Sequence, residues 1–348
     1  MRLSATRQGA ISQNRGLGNP LWDVAGLPPS LDLRFAETKS LVDAFTGRDL
    51  ITYTRVGDRS VITPAGGMEL VTPNVPAFTH NPFTLESLGF SVEETRPNLL
   101  ANSAAPGNQS FAVAAQAYTL SFYGSGDIVL TGAHSATLIG AGAFPNRATL
   151  TFTPTAGTLN VTVSGTVEFA NIEPGTFATS WIPTASASAT RSADVANITG
   201  TNFSSWYNQS EGTMLINYLL TRQNATPGLG LFSVHDGTAS NWNRLFARAS
   251  GATGYSIVTA GAGQVDLSPT GVIAANTVTA LAASYATNNV AATGQGLAVQ
   301  LDTSATMPSG INRAEIGGGL FDSIMNGTIS RLTYWPQALL SRLQAITS

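Results

Sequence analysis

Apolar and polar residues alternate in short stretches through almost the whole chain, with Gly, Pro or Asn between them. In LNVTVSG (159–165), Leu159, Val161 and Val163 fall on one side and Asn160, Thr162 and Ser164 on the other. A period of two is the spacing of a half-buried antiparallel strand. The rhythm predicts strands at 31–35, 50–55, 68–72 and 89–94, then at 117–126, 127–132, 148–157, 159–165 and 167–173. It returns at 213–220, 230–235, 244–250, 255–260, 277–286, 297–303, 313–318 and 326–335. No amphipathic helices alternate with these strands, which excludes a parallel α/β fold. One stretch has helical spacing: after Pro336, Leu339, Leu343 and Ile346 form an apolar stripe with Leu340 beside it. A helix beginning at Pro336 is expected there, packed on its own domain, each side chain contributing about 1.5–3 kcal/mol. The fold expected is all-β and multi-domain: a jelly-roll-like sandwich followed by a second two-sheet sandwich with a short C-terminal helix.

The pattern also suggests boundaries. Residues 1–29 are polar and broken by Gly and Pro, which reads as an arm with no core of its own. Residues 30–100 form a small β unit, 101–184 the jelly-roll-like sandwich, and 203–348 a second two-sheet sandwich. Between the last two, ASASATRSADVANITGTN (185–202) is rich in small polar residues and is expected to be a linker.

Composition narrows the function. Of 348 residues, 43% are hydrophobic and 11% charged, against roughly 25% charged in an average globular domain. The surface must therefore be neutral and hydroxyl-rich. Lys39 is the single lysine, the net charge is −3 and no basic run occurs, so nucleic acid is not an expected partner. The absence of cysteine excludes disulfides and thiolate chemistry. The N-terminus lacks the apolar run of a secretory signal, and no stretch is long and apolar enough to insert in a membrane.

Catalytic chemistry finds little support. His80, His134 and His235 are far apart and lack metal-ligand spacing. His235-Asp236-Gly237 reads as a turn rather than a catalytic pair. Glu211 and Glu315 stand alone in the last block, while Glu93 and Glu94 are adjacent and point to opposite faces, so no carboxylate pair for glycoside hydrolysis is expected. GSG (124–126) and GGG (317–319) lack the lysine of a phosphate loop. Asp236, Asp266, Asp302 and Asp322 are scattered without a calcium-loop pattern, so neither a cofactor nor a metal is expected. Two segments, SSWYNQS (204–210) and SNWNRLF (240–246), place tryptophan among amides and hydroxyls in expected loops. An aromatic ring beneath a sugar's C–H face, with polar groups at its edge, is a carbohydrate-binding chemistry. The candidates are Trp206, Tyr207, Trp242, Asn243 and Arg244.

Three tracts resemble a known family. In 76–103, Phe78, His80, Pro82, Gly89, Glu93, Arg96, Asn98, Leu99 and Leu100 match a segment of tailed-phage virion proteins, with Ala77 replacing the usual arginine. In 172–194, Glu173, Gly175, Phe177, Thr179, Ser180, Ile182, Pro183, Thr184, Arg191 and Asp194 match a second segment, with Trp181 in place of tyrosine. The ending supplies Gly327, Ile329, Arg331, Leu332, Tyr334, Pro336, Leu340, Leu343 and Gln344, similar to the last strands of a laminin-G-like sandwich. Together with 278–317, these tracts span most of the chain.

The resemblance implies carbohydrate-binding-module-like and concanavalin A-like domains in a non-enzymatic phage structural protein. It would be exposed on the virion as a tail or head fibre or spike contacting host-surface polysaccharide. A decoration protein of capsid or tail without sugar binding is the alternative, and a capsule-degrading spike a more distant one. The N-terminal region would attach to other virion proteins. Short Thr/Ser-rich strands leave edges that a neighbouring copy could cover, so a homo-oligomer is expected, with a trimer favoured.

Overall fold

The computed structural model describes residues 20–222, 228–318, 320 and 323–348. The protein is all-β, with multiple antiparallel sheets and a short C-terminal helix. Two 8-stranded sheets form the larger sandwich. The first runs in the order 300–302, 290–294, 279–286, 211–220, 327–335, 87–92 and 78–80, with Leu31–Leu33 also on Gly327–Trp335. The second runs 52–54, 195–199, 313–316, 229–235, 242–247, 253–259 and 262–267, with Ser323–Ile324 parallel to Leu229–His235. Between them lies one core, including Phe90, Met214, Ile216, Phe232, Leu245, Ile257, Leu281 and Leu332. Strand alternation delivers every second side chain to it.

The strands of 30–100 do not stand apart from this sandwich. Leu31–Leu33 and Ser87–Val92 flank Gly327–Trp335, and Thr52–Thr54 pairs with Val195–Thr199. Strands of three to six residues leave open hydrogen-bonding edges and need such neighbours. The buried Asp32 carboxylate fastens one of them: it accepts from Arg331 at 2.8 and 2.9 Å, from Thr333 Oγ1 and from Arg34. Residues 185–202 are not a free linker either. Ala189–Arg191 pairs with Arg96–Asn98, and Val195–Thr199 lies within the second sheet. The small polar side chains that suggest a loop satisfy the outward positions of these strands, while Ala196 and Ile198 reach the core.

A second, smaller sandwich occupies the middle of the chain. A 4-stranded sheet (136–139, 127–132, 157–164, 109–113) faces a 3-stranded one (148–152, 118–123, 168–174). Its separate core includes Leu120, Phe122, Ile128, Leu130, Phe152, Leu159 and Ile172. Leu159 and Val161 point inward and Asn160 and Thr162 outward, as their alternation predicts.

The outer face of the first large sheet is also covered. Leu215, Ala282, Ala291 and Trp335 project outward from it and are capped by Leu339, Leu343 and Ile346 from the C-terminus and Ala25 from Pro20–Ala25. Residues 1–19 of the expected arm lie outside the described residues, but its last part is this packed helix. The C-terminal helix is shorter than its periodicity suggests: a 3₁₀ turn at Leu340–Arg342 leads into Leu343–Ile346. Pro336 does not begin it. The Ala338 and Leu339 N–H groups donate to Glu211 Oε2 and Thr213 Oγ1, and Thr213 donates to the Gln337 carbonyl. These bonds tie 336–339 to the neighbouring strand in a non-helical path and postpone the helix by a turn.

Candidate functional site

On Trp242–Ala247, Leu245 and Ala247 enter the core, so Trp242, Arg244 and Phe246 share the opposite, outer face of the second sheet. There they form a ladder. The Arg244 guanidinium lies 4.4 Å from the Trp242 ring centre and 4.3 Å from that of Phe246, and Arg248 continues the series at 5.0 Å from Phe246. Arg244 Nε donates to Ser256 Oγ at 3.2 Å on the next strand. Trp242 and Arg244 remain partly exposed, while Phe246 is buried. Gly254 permits this: a Cβ there would sit 2.5 Å from the Phe246 ring.

The neighbouring strands add polar groups. His235 stands opposite Trp242, and Ser233 opposite Arg244. His235 Nδ1 accepts the Gly237 N–H at 3.0 Å, which leaves the proton on Nε2, 3.4 Å from Glu315 Oε1. The face therefore combines a partly exposed indole, a guanidinium held between rings and the Glu315 carboxylate, with the His235 imidazole buried beneath them. Such a set can stack on a sugar ring and bond its hydroxyl or acid groups. Glu315 pairs with His235 across the strands rather than with a second carboxyl group.

The five residues singled out from sequence divide between this face and the interior. Trp242 and Arg244 lie together on the face. Asn243 is 0% exposed, because strand alternation turns it inward beside the Tyr255 strand. Trp206 is 3% exposed and packs edge-on against Phe203, Tyr207 and Tyr334 at one end of the large core, so neither of its ring faces can serve as a sugar platform. Tyr207 packs in the same aromatic group, and burial, followed by the charge of Tyr334, pushes its hydroxyl far above its usual value. SNWNRLF is a strand rather than a loop; SSWYNQS is irregular after a short helix, as expected, but its rings pack inward instead of facing solvent. His235 and Glu315 join the face through strand pairing, and no local pattern marks them; Phe246 follows from the period of two once the segment is a strand.

The remaining acids serve local geometry. Asp236 accepts from Thr238 and Asn241, and Asp302 from Ser304, each closing its own turn; Asp266 pairs with Arg248. Asp322 and Gly319 lie outside the described residues. Among the described residues, no group of three or more His, Cys, Asp and Glu is gathered to hold a metal ion.

The tract residues converge elsewhere, at the junction of the two sandwiches. Glu93 accepts from Ser180 N at 2.9 Å, Ser180 Oγ at 2.6 Å, Arg191 at 2.5 Å and Arg59 at 2.9 Å. Burial opposes its ionisation, but Arg191, Arg59 and the Ser180 bonds prevail and hold its carboxyl at about 2. Asp194 accepts from Arg59 at 2.8 Å and from Tyr53. Glu94 pairs with Arg96 at 2.5 Å and Arg222 at 3.0 Å. Asn98 Nδ2 donates to Ala170 O, Asn171 Oδ1 and Ile182 O, each at 2.9 Å. His80 is buried, its Nδ1 3.0 Å from Ile62 O. The matched residues are thus internal fastenings.

No protein-family model matches the chain, and no curated protein matches it. Among solved structures, it is similar to the CBM40 of the Ruminococcus gnavus IT-sialidase bound to alpha2,3 sialyllactose, at 21% identity over 40% of this chain and 84% of that one, TM-score 0.36. It is also similar to domain 4 of AbnA, a GH43 extracellular arabinanase from Geobacillus stearothermophilus, in complex with arabinotriose (14%, 45% and 73%, TM-score 0.39). A third is the heptameric SAP-like pentraxin of Limulus polyphemus (14%, 40% and 70%, TM-score 0.28).

Proposed function

We propose that this chain is a non-enzymatic glycan-binding protein whose ligand lies on the Trp242–Arg244–Phe246 ladder. The observation that carries this reading is the partly exposed indole beside a guanidinium stacked between two rings. The rings and neighbouring strands restrain that guanidinium, so less side-chain freedom is lost when a sugar binds. The three sequence tracts support a setting for it: the surface of a tailed-phage particle, as a fibre or spike of homo-oligomers, trimers by preference, that touches host polysaccharide. The test is a glycan array of bacterial envelope polysaccharides. The wild type binds a subset, and Trp242→Ala lowers that affinity by about tenfold or more, equivalent to at least ~1.4 kcal/mol. Undiminished binding by Trp242→Ala overturns the site.

A second reading, a structural decoration protein without sugar affinity, draws on the interior position of Glu93, Arg96, Asn98, Ser180 and Arg191. It predicts silence on the array and a copy number that matches capsid or tail symmetry in particle micrographs.

A further inference from the structure

A cavity of about 440 Å³ opens where the two sandwiches meet and shares no residue with the Trp242 ladder. Its walls come from Tyr123, Arg147 and Ser180 on the side of the smaller sandwich, Thr221 and Asn276 of the larger, and Thr79, Asn81 and Phe83 from strand 78–80 of the larger sandwich and the turn after it; Arg59 and its ion-pair partner Glu93 also line it. The volume falls within the roughly 300–1,000 Å³ of small-molecule sites.

The charge around it is unbalanced. Among the described residues, Arg55, Arg59, Arg96, Arg147, Arg191 and Arg222 meet only Glu93, Glu94, Glu173 and Asp194. Burial pushes the Glu173 carboxyl up, against its bonds from Thr179 and the charge of Arg147, which weakens even that compensation. Arg147 is the cation left over. Its terminal nitrogens donate to Thr179 O at 2.6 Å and Ser121 Oγ at 2.8 Å, its guanidinium lies 5.7 Å from the Tyr123 ring centre, and Nε has no acceptor. Among the described residues, it forms no ion pair. Arg59, also in the lining and 1% exposed, likewise keeps an Nε–H without an acceptor.

The geometry points to a second saccharide site in this cavity, selective for a sugar that carries a carboxylate. The acid group would lie against Arg147, supplying the negative charge that the junction lacks. The hydroxyl and amide groups of Thr79, Asn81, Thr221 and Asn276 suit a ring bearing several hydroxyls. Phe83, 68% exposed at the rim, offers an apolar face to it. A simple carboxylate would satisfy the charge but none of the remaining lining.

The test is calorimetric titration of the full chain with D-glucuronate, with glucose and acetate as controls. Glucuronate binds, and both controls bind about tenfold more weakly or not at all. Arg147→Gln weakens glucuronate by about tenfold or more. So does Phe83→Ala, whose exposed ring can be removed without opening the core, while Trp242→Ala leaves this binding unchanged. Equal affinity for glucose or acetate overturns the assignment. So does no binding of glucuronate, full binding by both cavity variants, or loss of binding in Trp242→Ala, which would place the acid sugar on the ladder.

Discussion

Replacing Glu93 by glutamine probes the joint between the two sandwiches. Among the described residues, the native carboxylate is the one acid within ion-pair reach of the fully buried Arg191, whereas Arg59 keeps Asp194 at 2.8 Å. Holding the Glu93 carboxyl at about 2 instead of the usual 4.5 corresponds to about 3 kcal/mol favouring its ionised form in the folded state. Removing one partner of a buried pair typically costs ~3–5 kcal/mol, and the surviving Arg59–Asp194 bond sets the expectation at the lower end. Because the folded value lies below the unfolded one, this stability is complete well above pH 4.5 and is lost as pH falls toward 2.

Urea unfolding of wild type and Glu93→Gln at pH 7 and pH 3 measures it. A gap of about 3 kcal/mol at pH 7 should shrink by about 2 kcal/mol at pH 3, while the other carboxylates titrate alike in both proteins. A gap that is equal at both pH values, or wider in acid, would refute the argument that Glu93 is held ionised by its arginines.

Trp206→Ala should lower stability by about 3–5 kcal/mol, as expected for an aromatic removed from a packed core. A near-neutral effect in thermal or urea unfolding would contradict its burial among Phe203, Tyr207 and Tyr334. Leu343→Ala should cost about 2–3 kcal/mol, at the low end for a core leucine because the terminal turn can settle into the space. It should leave glycan binding intact, since Leu343 lies on the other sheet, against Trp335.

The alternation of side chains determined much by itself. It made the protein all-β, marked Leu159 and Val161 as inward and Asn160 as outward, and identified Leu343 and Ile346 as an apolar stripe. These are consequences of a two-residue or near-four-residue period, which any short window contains. Trp242 and Arg244 were legible only by residue type, as an indole and a guanidinium in one segment read as a loop. Their neighbour Asn243 was misjudged because strand alternation could not be applied until the segment was known to be a strand.

Only the tertiary structure decided which strands pair. Leu31–Leu33 lies on Gly327–Trp335 some 300 residues away, with Asp32 bonded to Arg331. Residues 185–202 become strands because the sheets offer them open edges. Those edges, the folded position of Trp206, and the junction that gathers Arg59, Glu93, Arg147 and Arg191 are set by long-range hydrogen bonding and burial. A side chain's type is written locally, but its solvent exposure and charge partners exist only once distant strands have closed around it.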